Sequence, residues 1–171
     1  LYDECLKYTS QGYRVLTIGY SQQILDDNRI LFDDLTCLGI IVLSDVIREN
    51  AKDTLQYFKK QNTNIKVISG DDPVTVSFIA KRVGIDYYNR YIDVSTLKDE
   101  DIEEAVLKYT IFGRVTPEQK KLMVLALQKH GHTVAMTGDG INDVLALKIA
   151  DCSIAMASGS DAAKNTSNIV L

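Results

Sequence analysis

Residues 137–156 read TGDGINDVLALKIADCSIAM, and no other stretch restricts the fold of this chain as tightly. A short apolar strand, Thr133 to Met136, leads in, and the spacing predicts a helix starting near Asn142. Gly138 and Gly140 allow a sharp turn and let a ligand come close to the backbone. Asp139 and Asp143, four positions apart, flank that turn beside a helix N-terminus whose first N–H groups lack partners within the helix. Two acids in that setting suit Mg2+ with a phosphate attached. The ion takes a few carboxylate oxygens and fills its other positions with water and phosphate. A strand–turn–helix with two solvated acids is the plain alternative, and the length of the string weighs against it.

The rest of the chain alternates in the same way. LGIIVL (38–43) is a continuous apolar run, as expected of a strand covered on both faces. A helix is predicted over roughly Ile47 to Lys60, then a strand over Ile65–Ser69. Asp72-Pro73 supplies an N-cap and a first-turn proline for a helix to about Val83. Asp99 to Lys108 reads as an acid-fronted helix and Tyr109–Arg114 as a strand. Thr116 to Gln119 forms a capping box, opening a helix to about His130 that Gly131 ends. Strand 133–137, helix 142–150, strand 152–156 and a helix from Ser160 complete the series. Strands alternating with helices define an α/β domain with a mainly parallel sheet.

The opening differs. A helix over Leu1 to Ser10, a strand over Tyr13 to Tyr20 and a polar patch from Ser21 to Arg29 cannot bury a core alone. They read as the tail of a neighbouring domain. The chain opens on Leu1 and stops on Ile169-Val170-Leu171, so both ends are expected to be cuts in something longer. A net charge of −4 argues against a nucleic-acid surface. Cys5, Cys37 and Cys152 are widely spaced without a metal-ligand pattern, so reduced thiols are expected.

In folds of this class the ligand sits beyond the C-terminal ends of the strands. Ser69-Gly70-Asp71 follows one strand, and its hydroxyl and backbone N–H groups suit phosphate oxygens. Lys120 lies one turn into the helix after FGRVTPEQ, where an ammonium can neutralise phosphate charge. Asp139 and Asp143 follow a third strand. Each group alone is a common turn or a solvated side chain; their order on successive strand-end loops is the signal.

The combination resembles the haloacid-dehalogenase superfamily, and within it the phosphorylation domain of P-type ATPases. ISGD (Ile68–Asp71), FGRVTPEQK (Phe112–Lys120) and TGDGIND (Thr137–Asp143) carry the likeness, which runs from about Arg14 to the end. The family's T-G-D stands here as Ser69-Gly70-Asp71, keeping the hydroxyl. Its D-P-x-R stands as Asp45-Val46-Ile47-Arg48, without the proline, and its A-P-A-L as Val144-Leu145-Ala146-Leu147. The resemblance implies a Rossmann-like haloacid-dehalogenase fold, α/β with a mainly parallel sheet and helices on both faces. It further implies that residues 1–33 are the end of a nucleotide-binding domain and 34–171 an incomplete phosphorylation domain.

The implied reaction belongs to a bacterial cation pump. An aspartate takes the γ-phosphoryl group of ATP, and water later hydrolyses the aspartyl phosphate. Asp139 would hold Mg2+, with Asp143 as a second acid at the metal and Asn142 beside it ordering water and loop. Lys120, the Ser69 hydroxyl and the Gly70 N–H would stabilise the transferring phosphoryl group. Arg14 matches an arginine that contacts ATP phosphate, and Asp71, Asp45 and Arg48 would shape the nucleotide's approach. Implied partners are ATP, the transported cation, and membrane and actuator domains of the same protein, with this part at the cytoplasmic face of the cell membrane. No nucleic-acid partner is expected.

The family's nucleophile lies in D-K-T-G-T, which nothing here matches. Asp33-Asp34-Leu35-Thr36 is the nearest decoy, but it precedes an apolar strand rather than ending one. The sheet is therefore expected to lack its central nucleophile strand, and the isolated chain to be inactive. The resulting gap, between the strands ending at Ser69 and Thr137, should be filled by Tyr13–Tyr20 or a second molecule, or closed. Two rival readings remain. A soluble phosphatase of the same superfamily would need an Asp-x-Asp ending a strand near the N-terminus. A phospho-receiver module would use Asp33, Asp34, Asp71 and Lys120, but its lysine should end a strand, and it leaves TGDGIND unexplained. His130 and His132 lack a third ligand nearby, and Tyr87, Tyr88 and Tyr91 are expected to pack beneath a loop.

Overall fold

A computed structural model describes residues 1–23, 35–44 and 46–171. Asp33, Asp34 and Asp45 lie outside the described residues. The chain opens with α1 (Tyr2–Thr9) and β1 (Arg14–Tyr20), followed by β2 (Thr36–Leu43) and α2 (Ala51–Lys60). Next come β3 (Val67–Ile68), α3 (Pro73–Val83), β4 (Tyr91–Asp93) and α4 (Ile102–Lys108). β5 (Ile111–Gly113), α5 (Pro117–Lys129), β6 (Ala135–Gly138) and α6 (Val144–Ile149) follow. β7 (Cys152–Ala155), α7 (Asp161–Thr166) and β8 (Ile169–Val170) end the chain. No helix among the described residues is long and apolar enough to cross a membrane.

The α/β alternation and its parallel pairing hold throughout the later part of the chain. β3, β5 and β4 form one parallel ladder and β6, β7 and β8 another. Local signals place the helices. Asp72 caps α3 by accepting the N–H groups of Val74 and Thr75, with Pro73 in the first turn. At the far end of α3, Gly84 takes the left-handed conformation at φ +86°. β4 and β8 were not legible in the sequence. Three and two residues are too few to show a period, and each is defined by its pairing with a neighbour, β4 with β5 and β8 with β7.

Two expectations are corrected. The apolar run 38–43 is not covered on both faces: β2 pairs antiparallel with β1 in a separate two-stranded ribbon, and Leu38 is 67% exposed. The gap between the strands ending at Ser69 and Gly138 is neither filled nor closed among the described residues. β3 pairs only with β5 and β6 only with β7, while Tyr13–Tyr20 supplies β1 to the ribbon. An open slot results. Ile68 on one side and Met136 on the other line a cavity of about 340 Å³ between the two ladders.

Helix α5 explains why the slot stays open. Met123 and Ala126 pack with Val94, Ile102, Val106 and Phe112 under the first ladder. Val124, one position away, packs with Met136, Leu147 and Ala155 under the second. One helix thus serves two cores, fixing the ladders at a distance from each other.

Close approach of β5 to α3 sets the first ladder against that helix. A Cβ at Gly113 would stand 2.4 Å from the Pro73 nitrogen and 2.6 Å from its Cα, backbone atoms that cannot yield. Gly113→Ala should therefore destabilise the chain by about 1–3 kcal/mol, read as a lower denaturation midpoint in urea at unchanged slope.

Candidate active site

Three strand-end loops build the site. After β3, the Ser69 N–H donates to the Phe112 carbonyl at 2.9 Å, and the Val115 N–H donates to the Ser69 carbonyl at 3.0 Å. This stitches the loop to the end of β5. The Ser69 hydroxyl oxygen accepts the Asp71 N–H at 3.1 Å, which leaves its proton to donate elsewhere. Gly70 is exposed beside it.

After β5, Arg114 adopts a positive φ of 53° and donates its N–H to the Asp71 carbonyl at 2.9 Å. Its guanidinium spans Asp72 and Asp93, at 2.9 Å each. Sequence reasoning quoted this arginine within FGRVTPEQK but gave it no role; only the folded loops bring the two acids to it. The capping box then forms as expected, with Thr116 accepting from Gln119 N–H and Gln119 accepting from Thr116 N–H. It starts α5 so that Lys120 points back toward the helix N-terminus and into the protein, where it is 7% exposed.

After β6, a short 3₁₀ turn (Ile141–Asp143) precedes α6. Asp143 is buried, and Lys120 Nζ donates to its Oδ1 at 2.7 Å. Its Oδ2 accepts the N–H groups of Asp139 and Gly140, both at 3.2 Å. Gly138 is required for space: a Cβ there would meet the Cβ of Asp143 at 2.5 Å. Neither Gly138 nor Gly140 takes a positive φ, so the glycines serve close packing rather than left-handed backbone.

Ser69, Gly70, Lys120, Asp139 and Asp143 line the cavity between the ladders, with Thr137 and Met156, which the sequence does not single out. Asp139 is exposed, and its carboxylate makes no hydrogen bond or ion pair among the described residues. That unpartnered carboxylate fits Mg2+, which needs only one or two protein oxygens when water and phosphate supply the rest. Asp143 does not fit as a direct ligand here. Both of its oxygens are engaged, one by an ammonium and one by two N–H groups.

Other expected groups fall elsewhere. Arg14 pairs with Asp71 across 57 positions, both about half exposed, beside the cavity loop rather than lining it. Asn142 and Arg48 are exposed and do not line the cavity, and Asp45 lies outside the described residues. His130 ends α5 in an ion-pair cluster with Glu103, whose carboxyl is held below its usual range by Lys129 and then His130. Tyr88 packs against the cluster of Val76, Ala80 and Ile111, whereas Tyr87 and Tyr91 stay exposed. Lys120 sits inside a helix, against the phospho-receiver reading.

A family profile for haloacid dehalogenase-like hydrolases matches residues 14–151, and the chain belongs to that family. Among curated proteins it is 46% identical over 169 residues to a probable cation-transporting ATPase, exp7, of Streptococcus pneumoniae serotype 4, covering 98% of this chain and 22% of that protein. It is 44% identical over 164 residues to the calcium-transporting ATPase CtpE of Mycobacterium bovis, covering 95% and 20%. Against the magnesium-transporting ATPase, P-type 1, of Salmonella typhimurium it is 36% identical, covering 96% and 19%. The chain thus spans about a fifth of the length of these relatives. Among solved structures, the catalytic domain of the CPx-ATPase CopB-B superposes with a TM-score of 0.58 at 30% identity, covering 80% of this chain and 47% of that one.

The Lys120–Asp143 pair can be weighed by a double-mutant cycle. Lys120→Met alone leaves a buried carboxylate without its counter-charge and should cost about 3–5 kcal/mol of stability. Adding Asp143→Asn, which keeps an acceptor for the two N–H groups, should recover part of that loss. The coupling energy from chemical denaturation should be about 0.5–3 kcal/mol.

Proposed function

We propose that this chain is the catalytic core of a bacterial P-type cation-transporting ATPase, which couples ATP hydrolysis to ion movement through an aspartyl phosphate. The cavity between the unpaired edges of β3 and β6 carries this reading. It has the place of one further parallel strand, and Ser69, Gly70, Lys120 and Asp139 all face it. A strand ending in an aspartate there would present its carboxylate to every one of these groups.

The division of labour follows from geometry. The Ser69 hydroxyl and Gly70 N–H donate to the oxygens of the transferring phosphoryl group, and the Lys120 ammonium offsets its charge. Asp143 keeps that ammonium aimed at the cavity and, through Asp139 and Gly140, holds the acidic loop in shape. Asp139 takes the Mg2+, which when bound neutralises negative charge as the phosphoryl group moves. Arg14, anchored on Asp71, meets an ATP phosphate, and Arg48 shapes the nucleotide's approach. Asn142 contributes to loop order. Residues 1–33, with β1, are the end of a nucleotide-binding domain and residues 34–171 the incomplete phosphorylation domain, with the pairing of β1 and β2 running across that division. Membrane and actuator domains of the same protein and the transported cation complete the set of partners, with this part on the cytoplasmic side.

Acid-stable labelling from γ-labelled ATP tests the proposal. The protein extended to the length of its relatives should label, and Asp139→Asn should slow labelling about 100- to 1,000-fold. The 171-residue chain by itself should neither label nor hydrolyse ATP, since its sequence holds no match to D-K-T-G-T. Robust Mg2+-dependent hydrolysis by the short chain would refute this assignment and return attention to Asp33 and Asp34.

A further inference from the structure

Asp139 is held by its backbone alone. Its N–H donates to Asp143 Oδ2 at 3.2 Å, and its carbonyl accepts the Ser160 N–H at 2.7 Å. Ser160 closes a turn that begins at Met156. The Met156 N–H donates to the Gly138 carbonyl at 3.3 Å, and the Gly159 N–H returns to the Met156 carbonyl at 2.8 Å. This turn touches the acidic loop so closely that no side chain fits between them. A Cβ at Gly159 would stand 2.6 Å from the Asp139 carbonyl oxygen and 3.0 Å from its Cα. On its other side the turn is tied to the core. The Ser160 hydroxyl caps α7 by accepting the Ala163 N–H at 3.3 Å, and Ala163 is fully buried with Val124, Leu147 and Ala155.

We propose that the Gly159-Ser160 turn is the positioning element for Asp139. It clamps the Asp139 carbonyl against the core, so that the unpartnered carboxylate faces the cavity in one orientation before any cation arrives. The inference rests on reading Asp139 as the Mg2+ ligand. A carboxylate on an exposed loop would otherwise spend part of the binding energy on ordering its own backbone, and a ligand fixed beforehand avoids that loss. Ser160 acts through its backbone N–H, and its side chain serves only the helix.

The 171-residue chain with Mn2+ as probe separates these roles, with the free ion read by electron paramagnetic resonance. Ser160 has φ −65°, which proline shares. Ser160→Ala and Ser160→Pro both delete the hydroxyl cap, but only proline deletes the N–H that Asp139 accepts. Both should lower the melting temperature, whereas only Ser160→Pro should weaken Mn2+ binding, by about 10-fold or more relative to Ser160→Ala. Equal affinities in two folded variants would overturn the positioning role. Gly159→Ala, which pushes on Asp139 directly, is the second variant and should weaken binding likewise; if it and Ser160→Pro both fail to fold by circular dichroism, the turn is a support of the fold and the proposal falls. Asp139→Asn reports on the underlying reading separately: undiminished Mn2+ binding there would remove Asp139 as a ligand, whatever the Ser160 variants do.

Discussion

The buried ion pair between Lys120 and Asp143 is the joint on which the site turns. Lys120 enters from α5, and Asp143 enters from the turn after β6, so the pair ties a helix shared by two cores to the loop that carries Asp139. Two charges this far from water require each other, because the desolvation of either is offset only by the partner and by further hydrogen bonds. Asp143 satisfies that condition with its second oxygen, which accepts two backbone N–H groups of the acidic loop. The ammonium, the loop and the helix therefore hold one geometry together. The pair also separates the two acids: Asp143 is committed inward, and Asp139 is exposed.

Around this joint the two parallel ladders leave their facing edges unpaired among the described residues, an arrangement proteins ordinarily avoid because such edges invite new pairing. Here the spacing is imposed from below by α5. It packs Met123 and Ala126 under one ladder and Val124 under the other. Residues of β3 and β6 line the same cavity as Ser69, Gly70, Lys120 and Asp139. Relatives about five times as long have chain to spare for such a slot. Leu16, Ile18, Leu38 and Ile41 of β1 and β2 are exposed apolar residues of the ribbon.

The strand-end loops do not stand alone. Arg114 binds Asp72 and Asp93 with its guanidinium and the Asp71 carbonyl with its N–H. The loop carrying Ser69 is thereby fixed to the start of α3, the end of β4 and the end of β5. The loop carrying Asp139 is fixed by Ser160 on one side and Asp143 on the other. Ser69 and Asp139 thus each project from a backbone that other segments hold.

Much of this was readable from the chain alone. Capping residues act within a few positions of themselves, so Asp72-Pro73 and Thr116 to Gln119 announced α3 and α5 with their correct starts. The spacing of TGDGIND placed two acids around one turn, and three motifs marked three strand ends that share a cavity. What sequence could not supply depends on contacts between distant segments. The run 38–43 looked doubly buried because an apolar composition does not say how many faces are covered; pairing with β1 left it in a two-stranded ribbon. In the sequence, Asp139 and Asp143 are two acids around one turn, both expected at the metal. Only folding brought Lys120, 23 positions from Asp143, within 2.7 Å of it and left Asp139 free. Local hydrogen bonding and periodicity are written in neighbouring residues. Burial, charge pairing and the commitment of one acid over another are set where remote segments meet, and those the tertiary structure decided.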